Sequence, residues 1–248
     1  MALREEFQKQ GSWLFRWRSY FPLIFLPILL VALKDSDFLE RIFGDMIEDI
    51  WEISCLTISF IGLFIRCLTI GYVPKGTSGR NTKQQRADVL NTTGMYSIVR
   101  HPLYLGNFLI MLGIVMFTQV WWVILIAILS FWLYYERIIF TEEEFLREKF
   151  GELFLQWAQA TPAFIPKLSN WKKPDMSFSV KTVLRREYTG FFVIVSAFTS
   201  FEILGDFIAE GRFEIDLEWI VFFAAGAIIY LTLRTLKKHT KILHVDGR

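Results

Sequence analysis

Residues 103–135 contain no charged side chain. An uninterrupted apolar run of about 18 or more residues belongs in a bilayer rather than in the core of a soluble domain. The chain is therefore expected to be an integral membrane protein. Composition agrees: 53% of the 248 residues are hydrophobic, with 25 Phe and 9 Trp. Further apolar stretches at about 19–33, 50–73, 190–208 and 217–236 give six membrane segments if the long run crosses twice. The first is broken by Pro22 and Pro27. The opening "MALREEFQKQGSW" is too charged and too long before its apolar stretch for a cleavable signal, so the first segment is expected to be retained. Cys55 and Cys67 share one apolar segment, too far apart on a helix to pair, and read as small core residues.

Charge decides how often the long run crosses. Basic residues gather before the first segment, between 75 and 100, between 137 and 187, and in the tail; the connections at 35–49 and 206–216 are acidic. Basic loops stay on the cytoplasmic side. The loops flanking 103–135 then lie on one face, and the run is a hairpin turning near Thr118 and Gln119. Both termini and both large loops face the cytoplasm. The expected fold is all-α: a polytopic membrane protein of about six transmembrane segments, with a helical hairpin and a cytosol-facing pocket. "PKLSNWKKPDMS", residues 166–177, reads as a linker before a C-terminal helix pair.

Two stretches can carry chemistry. "TGMYSIVRHPLYLGN", residues 93–107, enters the hairpin. Pro102 suits the first turn of a helix, and Gly106 lets a backbone or a ligand approach closely. Arg100, His101 and Tyr104 fall on one face at that helix N-terminus, a good place for an anion. The competing reading is a membrane-interface belt of snorkelling Arg and anchoring Tyr. After the hairpin comes "YYERIIFTEEEFLREKFGELFLQWAQATPAFIP", residues 134–166. Glu142, Glu143 and Glu144 there suit a solvated helix start. The hairpin nevertheless returns them to the membrane face of Arg100, His101 and Tyr104.

The ordered pair "VRHPLYLGN" and "EEEFLREKFGELF" with "PAFIP" resembles the isoprenylcysteine carboxyl methyltransferase and phospholipid N-methyltransferase superfamily over about residues 71–166. The resemblance implies a membrane methyltransferase using S-adenosylmethionine. It divides the chain into N-terminal transmembrane helices (1–70), a methyltransferase core (71–166), and a linker with a C-terminal helix pair (167–248). It places cofactor binding on His101, Tyr104, Gly106, Glu142 and Glu143, and the catalytic role on Arg100 and Glu143. Arg100 and His101 would face the cofactor's carboxylate, the glutamates its ribose or amine. Met95 stands where the family has proline, implying a looser loop; Phe154 stands where it has tyrosine, with Trp157 nearby.

For the acceptor, the basic loop at 72–94 offers Arg80, Lys83 and Arg86 at three-residue spacing, and the hairpin helix offers Asn107. Arg80, Arg86 and Asn107 are the expected substrate contacts, with an anionic lipid headgroup, a phosphate or a carboxylate, as acceptor. The positive-inside bias explains the same loop charges. Arg66 is expected to pair with Glu202 or to snorkel, and Glu136 with Arg137. Arg185, Arg186 and Glu187 read as topology anchors. The sequence shows no zinc spacing and no nucleic-acid motif, so neither a metal nor a nucleic acid is expected. Two alternatives remain: an NADPH-dependent reductase of the sterol-reductase type, and a non-enzymatic carrier or scaffold.

Overall fold

The computed structural model describes residues 2–35, 38–74, 76, 85–211 and 216–248. Ten α-helices and no strand occur among them: α1 (Leu3–Trp17), α2 (Leu26–Ala32), α3 (Phe38–Phe43), α4 (Asp45–Tyr72), α5 (Met95–Ile98), α6 (Pro102–Met116), α7 (Trp121–Phe150), α8 (Glu152–Ala160), α9 (Val180–Glu210) and α10 (Leu217–His239). Helices α4, α7, α9 and α10 are long and apolar enough to cross a membrane; α6 is apolar but shorter.

The hairpin is α6 and α7, turning through residues 117–120 as expected. Gln119 takes φ 59°, a conformation that disfavours a non-glycine residue. Its side chain offsets that strain: it accepts from the Leu39 N–H at 2.7 Å and donates to Glu48 Oε1 at 2.7 Å. The first segment is no long helix. It is a 3-10 turn over Phe21–Phe25 followed by the seven-residue α2, with a proline opening each piece. It still runs the length of the hairpin: Arg18 lies 3.8 Å from Glu142 at one end, and Leu39 meets Gln119 at the other. Of the six expected passes, four lie on long helices; the first segment and α6 are shorter apolar pieces.

Two helices extend past the limits that hydropathy suggests. Helix α9 begins at Val180 rather than near 190, capped by the Ser179 hydroxyl, which accepts from the Thr182 N–H at 3.3 Å. Backbone hydrogen bonds continue through Arg185–Glu187, where Glu187 is turned into the bundle and pairs with Arg66 of α4. Helix α7 likewise runs unbroken to Phe150, so Glu142–Glu144 belong to the hairpin limb itself. It stops at Gly151, whose φ of 54° and ψ of −125° are open to glycine and closed to most side chains.

Helices α4 and α6 touch through small residues. A Cβ built on Gly106 would lie 2.7 Å from the Gly62 carbonyl oxygen, and one on Gly62 would lie 2.8 Å from the Ile110 nitrogen. Such residues let membrane helices approach to backbone contact. The segment read as a linker is instead a strap. Its backbone and that just before it lace onto the entry to α6: Arg100 N–H to Pro162 O at 2.9 Å, Lys167 N–H to Ile98 O at 2.9 Å, and Lys172 N–H to Ser97 Oγ at 2.9 Å. Irregular backbone beside a bilayer needs such partners. The loop carrying Met95 is therefore firmly held, with Met95 buried.

Candidate active site

Helix α6 starts at Pro102 with His101 as its N-cap. Its first turn faces the charged end of α7. Glu142 and Glu143, about 100° apart around the helix, take different partners. Tyr104 donates its hydroxyl to Glu142 Oε1 at 2.6 Å. Arg100 Nε donates to Glu143 Oε1 at 2.8 Å, and His101 Nε2 lies 2.9 Å from the same oxygen. His101 Nδ1 is 3.8 Å from Glu142 Oε2, so the imidazole sits between both carboxylates. It also stacks on Tyr104, 5.8 Å between centroids. Glu144 turns away and pairs with Arg4 of α1.

Arg100 engages four of its five N–H groups. Besides Glu143 it donates Nη1 to the carbonyls of Ala158 at 2.6 Å and Thr161 at 2.9 Å, closing the end of α8. Trp157 Nε1 donates to Tyr96 O at 3.0 Å, and Phe154 is buried against the Trp157 ring. The indole thus supplies a polar tie near the position where a tyrosine hydroxyl is missing. Burial, with the Glu142 carboxylate adding to it, pushes the Tyr96 phenol up, so it stays protonated.

These groups open onto a cavity of about 960 Å³, large enough for a cofactor and part of a second ligand. Arg100, His101, Tyr104 and Glu142 line it, whereas Glu143 stands behind them. Asn107 and Arg86 also line it; Arg80 and Lys83 lie outside the described residues. Arg86 is exposed and forks onto Asp88 at 3.0 and 3.2 Å. Gly106 faces α4, where its missing side chain makes room for Arg66 and Gly62. Deeper in, the wall is apolar: Phe25, Leu29, Met111, Val115 and Phe131.

The phospholipid methyltransferase family model matches residues 55–153. The cobalt-zinc-cadmium resistance protein CzcN of Cupriavidus metallidurans is 33% identical over 156 residues, covering 60% of this chain and 69% of that protein. The nickel-cobalt-cadmium resistance protein NccN of Alcaligenes xylosoxydans xylosoxydans is 34% identical over 123 residues, 49% of this chain and 55% of its own. The protein-S-isoprenylcysteine O-methyltransferase of Schizosaccharomyces pombe is 30% identical over 125 residues, 49% and 52% respectively. The chain belongs to the isoprenylcysteine carboxyl methyltransferase and phospholipid methyltransferase superfamily. The chain spans about half the length of the last two relatives. No solved structure matches it.

Several partners differ from expectation. Arg66 pairs with Glu187, through Nε at 2.7 Å and Nη2 at 2.9 Å, and not with Glu202. Arg66 lies toward the C-terminal end of α4, whereas Glu202 neighbours Glu52 near the acidic N-terminal end. Glu187 is a buried wall residue rather than a topology anchor. Arg137 bonds Gln10 Oε1 at 2.8 Å and stacks on Phe7, so it does not pair with Glu136, its chain neighbour on a different helix face. Sequence reasoning also missed Arg18, which supports Glu142, and Tyr135, whose ring lies 4.8 Å from Tyr104. Arg18 carried no signal beyond its place in a basic N-terminal cluster.

Proposed function

We propose that the protein transfers a methyl group from S-adenosylmethionine to an anionic lipid headgroup, a phosphate or a carboxylate, at the cytoplasmic membrane face. One observation carries the reading: a single cavity joins the His101–Tyr104–Glu142 cluster to a deep apolar wall. The donor set suits the cofactor. Glu142 offers a carboxylate to a ribose diol or an ammonium, and Arg100 and His101 offer cationic or N–H groups to a carboxylate. When bound, the cofactor supplies an electrophilic methyl on a sulfonium.

The protein's own residues then position and exclude water. Arg100 and Glu143 hold His101; Arg18 and Tyr104 hold Glu142. No enzyme nucleophile is required, so alignment and a dry surround are the chief contributions. Transfer to an anionic oxygen breaks the methyl C–S bond, forms a C–O bond, and cancels one positive and one negative charge. A cavity of low dielectric favours that cancellation. The basic loops at the His101 end of the bundle support a cytoplasmic side for it.

The test is labelled S-adenosylmethionine supplied to membranes with and without the protein, with the labelled lipid identified by mass spectrometry. His101→Ala and Glu142→Ala should each abolish incorporation in protein that still folds. Binding of NADPH with no binding of S-adenosylmethionine would point to a reductase instead. No protein-dependent incorporation in wild type, with cellular function intact in both variants, would leave a carrier or scaffold.

A further inference from the structure

The cavity wall along α6 repeats at helical spacing. His101 and Tyr104 come first, then Asn107, then Met111, then Val115. Each step is one turn, roughly 5 Å. The first turn carries the carboxylate cluster, and the last two are apolar. The turn between them is polar, and nothing in the cofactor cluster requires it.

Asn107 accepts there from Arg66 Nη1 of α4 at 2.5 Å. Arg66 is forked onto Glu187 of α9, which is 4% exposed. Glu187 lies outside the residues matched by the family model, so the C-terminal helix pair contributes directly to the cavity. A buried ion pair gains little stability over a well-packed apolar contact. A charge inside a membrane bundle instead marks a functional path. The donor inventory adds direction. An arginine has five N–H groups, and among the described residues three of Arg66's are engaged. Its side chain remains 20% exposed and lines the cavity.

We propose that Arg66, aimed by Glu187 and Asn107, forms the subsite for the acceptor's anionic headgroup, one helical turn deeper than the cofactor cluster. This assignment rests on the methyltransferase reading for its account of turnover. Glu187 holds the guanidinium as a neutral pair when no headgroup is bound and fixes which edge points inward. A phosphate or carboxylate takes the remaining N–H groups, and its hydrocarbon chain follows the Met111–Val115 wall. Methylation removes one negative charge from the headgroup, so the product is held less strongly and leaves.

The test is equilibrium binding to purified full-length protein in phosphatidylcholine nanodiscs, without cofactor. The probes are hexadecyl phosphate, palmitate and hexadecylamine. The comparison is wild type against Arg66→Gln/Glu187→Gln, which keeps a hydrogen-bonded pair and leaves no buried lone charge. Wild type is expected to bind hexadecyl phosphate or palmitate about tenfold more tightly than the double variant, the effect of one charge-assisted contact. Hexadecylamine should bind both equally, and the preferred anion identifies the headgroup. S-adenosylmethionine affinity should agree within about twofold between the two proteins. Equal anion binding in both proteins overturns the proposal. So does a parallel loss of cofactor affinity, which would assign the pair to the fold or to the cofactor cluster. The probe measurement needs no turnover: wild type that binds the anions but transfers no methyl sinks the methyltransferase reading and leaves the subsite standing.

Discussion

The molecule contains two arginine–glutamate forks around one cavity, Arg100–Glu143 and Arg66–Glu187, and they are not equivalent. Arg100 gives two more N–H groups to the carbonyls of Ala158 and Thr161 and keeps one, so it is chiefly a strut between α6, α7 and α8. Arg66 gives one more to Asn107 and keeps donors for the cavity. The two pairs share a chemistry and differ in how many donors remain. That remainder, more than the charge itself, separates a residue that holds the wall from one that can meet a ligand.

The sharpest way to break this contrast is Arg100→Lys. A lysine cannot fork Glu143 and reach two carbonyls together. Loss of about 2–4 kcal/mol is expected, discounted for the partial exposure of the pair. It should appear as a lower unfolding temperature together with loss of S-adenosylmethionine binding. Should Arg100→Lys instead raise only the acceptor KM, the roles of the two forks are reversed.

Next in size is Gly106→Val, which forces α6 away from Gly62 and Arg66. Overpacking of about 1–3 kcal/mol is expected, with kcat reduced more than either KM, because both forks survive while their separation changes. An unchanged kcat would mean that the spacing of α4 and α6 is immaterial. Tyr104→Phe removes only the hydroxyl that Glu142 accepts. About a tenfold weaker cofactor Kd is expected, with little change for the acceptor. Arg86→Ala should have the smallest effect. Its fork with Asp88 is exposed at the cavity rim, so the acceptor KM should shift by about twofold, and less at high salt. A larger shift would move the headgroup subsite from Arg66 to the rim.

The same contrast shows what the amino-acid sequence makes legible. The hairpin could be read because charge parity around 103–135 admits only an even number of crossings, and the turn falls at Gln119 as that argument requires. Arg100, His101 and Tyr104 could be read because they adjoin one helix start, and a recognisable acidic stretch follows at a fixed distance. Arg66 and Glu187 could not be paired from sequence. They lie 121 residues apart, and Glu187 sits in a basic run whose ordinary reading is a membrane anchor. Hydropathy also starts α9 too late and ends α7 too early, because it counts charges as outside whether or not they have partners inside. The strap was missed for a related reason: its Pro, Lys and Ser composition suggests a free linker, while the backbone bonds that fix it leave no mark on side-chain identity.

That strap has a consequence for biosynthesis. Lys167 and Lys172 close the entry to α6 through Ile98 and Ser97, yet they follow the whole hairpin in the chain. While the ribosome is still making residue 150, α6 and α7 can insert, but the turn before Pro102 has no partner for its backbone. Only when the chain has emerged past Lys172 can that entry be sealed, and only after Glu187 can Arg66 be matched. Assembly of the cavity is therefore a late, post-insertion event, and a translation product truncated before α9 would reach the bilayer as a hairpin without a finished pocket.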